Sequence, residues 1–249
     1  MWNVNIHTAL LRGAFSLSAV LLCANTNAGS LQVAPIMLQF AGQDRAKELW
    51  LSNNGDTPIK AQVRVQEWQQ SNGEEKLSST QDLIASPLIL SIKPGDKQLV
   101  RIIRPKLQSI SVEQAFRLII DELPVGYVQQ NNGLNILLKY SIPVFVEAKP
   151  RIAEKQRGFT NLDGVSYRFN QGQLTIHNTS SNFIRLNQPV YISTNGQRYP
   201  LSQGLLGYVL AGQTMKWTVN VPGQAQSNGK LTAVINHDFK EQEIPMAQP

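Results

Sequence analysis

The chain has 249 residues, of which 42% are apolar and 16% charged, and a formal net charge of +6. The apolar fraction suffices for a core in each of two ordinary domains, and the low charged fraction argues for an extracytoplasmic β protein over a charged cytosolic helical one. The basic excess is spread along the chain with no Lys/Arg-rich block, so a nucleic-acid partner is not expected.

The first element in chain order is a leader. Arg12 precedes the apolar run Ala14 to Ala24, and Thr26-Asn27-Ala28 supplies small residues at the cleavage spacing, so residues 1–28 read as a cleaved secretory signal. That run is too short to span a bilayer, and no later stretch approaches about twenty apolar residues, so no membrane insertion is expected. Cys23, the only cysteine, leaves with the leader, and the mature chain is expected to carry neither disulfide nor thiol.

Short alternating runs follow, punctuated by turn chemistry. Leu31 to Phe40 and Glu48 to Ser52 come first, the second closed by Asn53-Asn54-Gly55-Asp56. Ile59 to Trp68 sets Ile59, Ala61, Val63 and Val65 against Lys60, Gln62, Arg64 and Gln66, the pattern of a half-buried strand. Leu83 to Ile92 is interrupted by Pro87, which fits an edge strand or a kink. Lys97 to Ile103, Phe116 to Leu123 and Leu134 to Val146 complete a set of seven, the count of an immunoglobulin-like sandwich. In the last, Leu134, Ile136, Leu138, Tyr140, Ile142 and Val144 share one face, and Lys139 interrupts the other.

The pattern breaks at Ala148-Lys149-Pro150-Arg151 and then restarts. Val165 to Phe169, Gln173 to His177, Asn182 to Leu186, Pro189 to Ser193, Met215 to Val221 and Leu231 to Asn236 are further strand candidates. The reading is therefore all-β, with an N-terminal domain over residues 29–147 and a C-terminal one over residues 148–249.

Several of these residues are similar to the two-domain periplasmic chaperones of the chaperone–usher pathway, which assemble fimbriae in Gram-negative bacteria. The resemblance rests on Pro94-Gly95-Asp96 leading into Leu99-Val100-Arg101-Ile102, on Glu113-Gln114-Ala115-Phe116-Arg117-Leu118 with Asp121-Glu122-Leu123-Pro124, and on the lysine-bearing strand ending Pro143-Val144-Phe145-Val146. In the second half, Gly172-Gln173-Leu174-Thr175-Ile176-His177-Asn178 and Ala233-Val234-Ile235-Asn236-His237-Asp238 carry it. The wording from Tyr140 to Val146 resembles the archaic or σ-type branch. What the resemblance implies is two immunoglobulin-like sandwiches in an L-shaped arrangement with an interdomain cleft, a periplasmic location, fimbrial subunits and an outer-membrane usher as partners, no cofactor and no enzyme activity.

The resemblance also implies roles for single residues. Leu134, Ile136 and Leu138 would be donor residues, lent to a subunit whose own sandwich lacks a strand. Lys139 would bind the subunit's C-terminal carboxylate, against the alternative of a solvent-facing lysine that discourages edge pairing. Relatives have an arginine on the first strand as a second cation. Pro35-Ile36-Met37-Leu38 offers no base, so Arg101 is the candidate substitute, an exposed arginine or an internal salt bridge being its alternative. Glu113 and Asp238 match acids of an interdomain ion-pair network, or are loop residues.

Other classes find less support. His177 and His237, the histidines left after the leader, have no metal-ligand spacing around them, and no nucleophile elbow, P-loop or dinucleotide fingerprint appears. The stronger rival is a secreted adhesin or a fimbrial subunit, with Trp50, Trp68 and Trp217 as sugar-stacking platforms, although Trp50 and Trp68 fall in strand runs where burial is the default.

Overall fold

The computed structural model describes residues 31–124, 136–148, 159–223 and 228–247. The first half forms ten strands: β1 (Leu31–Ala34), β2 (Leu38–Phe40), β3 (Ala46–Asn53), β4 (Ile59–Ser71), β5 (Glu74–Ser79), β6 (Ile84–Ser86), β7 (Ile89–Ile92), β8 (Lys97–Ile103), β9 (Gln114–Leu123) and β10 (Lys139–Val146). They make a four-stranded sheet in the order β1-β3-β8-β6 and a six-stranded one in the order β2-β10-β9-β4-β5, with β7 also on β4. The sheets share one core, to which Leu49, Val63, Val100, Leu118 and Val144 each contribute a fully buried side chain.

Two runs that read as single strands each divide between the sheets. Leu31 to Phe40 breaks at the cis peptide Ala34-Pro35, after which β2 leaves the sheet of β1 and pairs in parallel with β10. Leu83 to Ile92 breaks at the cis peptide Ser86-Pro87, with β6 on β8 and β7 on β4. Proline, lacking an N–H, cannot sit inside a ladder, and here it marks where the chain crosses from one layer to the other.

The second half forms β11 (Val165–Asn170), β12 (Gln173–Asn178), β13 (Ile184–Ile192), β14 (Arg198–Pro200), β15 (Leu205–Val209), β16 (Thr214–Thr218), β17 (Lys230–Ile235) and β18 (Glu241–Ile244). A three-stranded sheet, β11-β12-β16, faces one ordered β14-β13-β17-β18 with β15 on β13, around a separate core that includes Leu174, Ile176, Leu186 and Ala233. Pro189 had split β13 into two candidates. The strand in fact continues through a bulge between Asn187 and Val190, where Gln188 takes a positive φ of 47° and donates its N–H to Gly204. The short strands β14 and β18 escaped the sequence reading because their mixed polar composition gives no alternation, and β15, Leu-Leu-Gly-Tyr-Val, because a glycine interrupts a short apolar run that does not alternate.

The burial phase of β4 changes midway. Ile59, Ala61 and Val63 point into their own core as the alternation predicts, yet farther on the buried side chains are Trp68 and Gln70, on the opposite face. In β10 likewise, every residue from Ile142 to Val146 is buried. A strand buried on both faces reads as a continuous apolar run, and in each case the second face is covered by the second domain.

Candidate functional site

The site is built on β10. Its whole length, Lys139 to Val146, pairs antiparallel with β9, whereas on its other side β2 covers only Val144 to Val146. Among the described residues, the Lys139 to Pro143 portion therefore presents a strand edge with no ladder partner on that side. Ile136 and Leu137, just upstream, are 63% and 46% exposed. Unpaired backbone N–H and C=O groups beside exposed apolar side chains template the pairing of another strand.

The predicted donor residues separate on inspection. Leu134 lies outside the described residues. Ile136 is exposed, while Leu138 is partly buried against the first core, its N–H donated to the Glu122 carboxylate at 3.2 Å and its carbonyl accepting the Glu122 N–H at 2.9 Å. Leu138 is thus the point at which the exposed apolar stretch joins the packed part of the strand.

On the outer face of the six-stranded sheet, register places Lys139 beside Asp121 on β9, with Arg64 of β4 one row along. Arg64 Nη2 lies 2.5 Å from Asp121 Oδ2, and Lys139 Nζ lies 3.7 Å from Asp121 Oδ1. The Lys139 side chain is 66% exposed, so its ammonium is accessible from solvent.

Arg101 is placed elsewhere. It sits on β8 in the four-stranded sheet, opposite Glu48, exposed between the buried Val100 and Ile102. Its side chain leaves the outer face of one layer and that of Lys139 the outer face of the other, so the fold does not bring the two cations to one point. The interrupted run Leu99 to Ile103 is explained by an ordinary half-exposed strand. Arg104, the residue just after that run, is buried and donates to the carbonyls of Gly42 and Gln108.

The face that carries Lys139 leads into the junction between the domains. Trp68, Ala115 and Phe145 from the first domain pack with Phe183, Tyr208 and Leu210 from the second. The Phe145 and Phe183 rings stack with centroids 3.7 Å apart, and Trp68 meets Tyr208 edge-on at 5.4 Å. The guanidinium of Arg117 lies 3.6 Å from the Trp68 ring centroid, with Glu75 also 3.6 Å away. Burial pulls its pKa below the ordinary arginine value, and Glu75 partly opposes that shift.

Two side chains fasten the junction through backbone groups. Gln70, buried, donates to the Tyr208 carbonyl and accepts the Leu210 N–H, both at 2.9 Å. Glu113, also buried, accepts the Phe183 N–H at 2.8 Å, and its own N–H goes to the Ser181 carbonyl. Asp238 bonds with Thr160 and Gln242, residues of its own domain.

Arg64, Asp121 and the Trp68, Phe145, Phe183 and Tyr208 cluster had not been singled out as site residues. The alternation of Arg117, Ile119 and Asp121 on β9 marks an outward row, but which outward rows become neighbours depends on the register of three strands. Among the described residues no cluster of His, Cys, Asp or Glu is arranged to hold a metal, and no helix is long and apolar enough to cross a membrane.

The geometry defines a class: paired sandwiches with an uncovered strand edge running into their junction. Residues 30–150 match the family described as "Pili and flagellar-assembly chaperone, PapD N-terminal domain". Over 88% of this chain and 100% of the other, the structure superposes with a TM-score of 0.68 and 26% identity on a chain of the CsuC–CsuE chaperone–tip adhesion subunit pre-assembly complex, from the archaic chaperone–usher Csu pili of Acinetobacter baumannii. The Salmonella enterica SafA pilin–SafB chaperone complex gives 0.59 at 15% identity, covering 88% and 96% of the two chains. The E. coli chaperone DraB gives 0.59 at 14% identity, covering 88% and 99%. These last two establish the fold alone. No match is found among curated protein sequences. The chain belongs to the PapD-like pilus-assembly chaperones of the chaperone–usher pathway.

Proposed function

We propose that the protein is a periplasmic chaperone of the archaic type, which holds fimbrial subunits by lending them β10 and the apolar stretch before it, and passes them to an outer-membrane usher. The observation that carries the reading is the edge from Lys139 to Pro143, unpaired among the described residues and continuous with exposed Ile136 and Leu137. A subunit strand laid along this edge gains main-chain hydrogen bonds, and Leu134, Ile136 and Leu138 supply apolar side chains to its incomplete core. Lys139 receives the subunit's C-terminal carboxylate, a charge-assisted bond that fixes the register of the added strand. Arg101, on the other layer, is a poorer second cation than its sequence position implied.

The reading includes export through residues 1–28 and no bond-making or bond-breaking chemistry. The adhesin or subunit alternative has less support, because each sandwich already closes its own core and Trp68 is 2% exposed, unavailable for sugar stacking. Periplasmic co-expression with the fimbrial subunit encoded beside the gene tests the proposal. Affinity capture should give a one-to-one complex with the wild type and a sharply reduced yield with Lys139→Ala. Equal yields would move the anchor away from Lys139, and no complex at all would return the adhesin.

A further inference from the structure

The acid that faces Lys139 has no part in the function argued so far. We propose that Asp121 is a built-in competitor for the ligand of Lys139, and that Arg64 sets how strongly it competes. The proposal rests on Lys139 being the carboxylate anchor.

Asp121 is a carboxylate already placed between two cations, one on each oxygen. The two contacts are unequal. Arg64 Nη2 holds Oδ2 at 2.5 Å, while Lys139 Nζ stands 3.7 Å from Oδ1, within ion-pair range but beyond hydrogen-bonding distance. The competitor therefore leans toward Arg64, on β4 two strands inland from the free edge, and leaves the ammonium partly released. An arriving carboxylate needs to displace only the weaker contact. Lys139 stands at the first position of the uncovered edge, and Asp121 one strand inland, so a strand added along β10 approaches the ammonium from the side opposite its resident counterion.

The strengths involved suit a competitor better than a lock. An exposed ion pair costs solvation and side-chain entropy nearly equal to what it gains, so Asp121 lowers the affinity of Lys139 for another anion by roughly two- to fivefold. It also gives Lys139 a counterion while the edge is empty, which disfavours random anions without excluding a carboxylate presented by a strand in register.

The test sets two chaperones against each other. Wild type and variant, each full length and distinguishable by mass, are co-expressed in the periplasm with a limiting amount of the subunit encoded beside the gene. Their ratio in the captured complex, divided by their ratio in the extract, gives relative affinity. Asp121→Asn, which keeps an acceptor for Arg64, should be enriched roughly two- to fivefold. Arg64→Gln should be depleted, since Asp121 then turns to Lys139, and Arg64→Gln with Asp121→Asn should return to the level of Asp121→Asn alone.

Asp121→Asn equal to or below wild type overturns the proposal. So does a double variant as depleted as Arg64→Gln, which would mean that Arg64 itself binds the subunit. If Lys139→Ala is depleted while Asp121→Asn is not enriched, only the competitor fails. If Lys139→Ala matches wild type, the anchor fails and the competitor with it.

Discussion

At the scale of single residues, the side chains that hold the domains together differ in kind from those expected to bind a partner. Arg117, Gln70 and Glu113 are buried or nearly so, each with specific partners across or beside the junction, whereas Lys139 and Ile136 are exposed. Inside the second domain, the Tyr167 hydroxyl donates to the Gly229 carbonyl at 2.6 Å, and burial pushes its pKa from 10.0 up to about 12. The folded state then keeps a proton that the unfolded chain releases near pH 10. The resulting stability, about 2–3 kcal/mol, is present in full below pH 10 and lost as the pH rises toward 12. Denaturant unfolding at pH 9 and pH 11.5 checks this: wild type should lose more stability between the two than Tyr167→Phe. Equal losses would place the alkaline sensitivity elsewhere.

At the scale of elements, the legible strands were those with one clean alternating face. β4 is the clearest, its Ile59, Ala61 and Val63 row meeting the core as read. What failed was continuity: prolines 35 and 87 redirect the chain between layers, while Pro189 does not interrupt its strand, because the bulge at Gln188 absorbs the lost N–H. Whether a proline ends a strand or sits in a bulge is decided by the neighbouring strand, which a local pattern does not contain. Asn72-Gly73 joins β4 to β5, a hairpin that the strand reading did not include. Both residues take positive φ, 57° and 86°, as a two-residue turn between Ser71 and Glu74 demands, and Gly73 also passes so close to Lys216 of the second domain that an added Cβ would sit 2.8 Å from its side chain.

The donor element makes its own prediction. Ile136→Asp should abolish subunit capture while leaving the melting temperature of the free protein within about a degree or two, since surface changes are worth about ±0.5 kcal/mol. Leu138→Asp should lower both, because Leu138 also packs against the first core. Matched behaviour of the two variants in a thermal melt would contradict the division drawn between them.

At the scale of the whole molecule, the two sandwiches were legible from strand count and the restart after residue 148, but their junction was not. Nothing near Trp68, Phe145, Phe183 or Tyr208 in the chain distinguishes a residue packed on its own sheet from one packed on another domain. Only the buried second face of β4 and β10 reveals it. Lys139 was singled out by likeness. Its companions were not, since Arg64 and Asp121 are 57 residues apart and meet through register. Phe183→Ala should cost about 3–5 kcal/mol through loss of the stack on Phe145, and should broaden the distribution of interdomain distances between spin labels on β5 and β18. An unchanged distribution would mean that the Gln70 and Glu113 bonds alone fix the angle.

The most direct test of the account is amide hydrogen exchange along β10 in the free protein and in its subunit complex. Addition of a strand to the uncovered edge predicts strong new protection at alternate amides between Lys139 and Ile142, with little change from Val144 to Val146, where β2 and β9 already flank the strand. Equal exchange from Lys139 to Ile142 in the two states would show that the subunit binds somewhere else and would contradict strand donation by this protein.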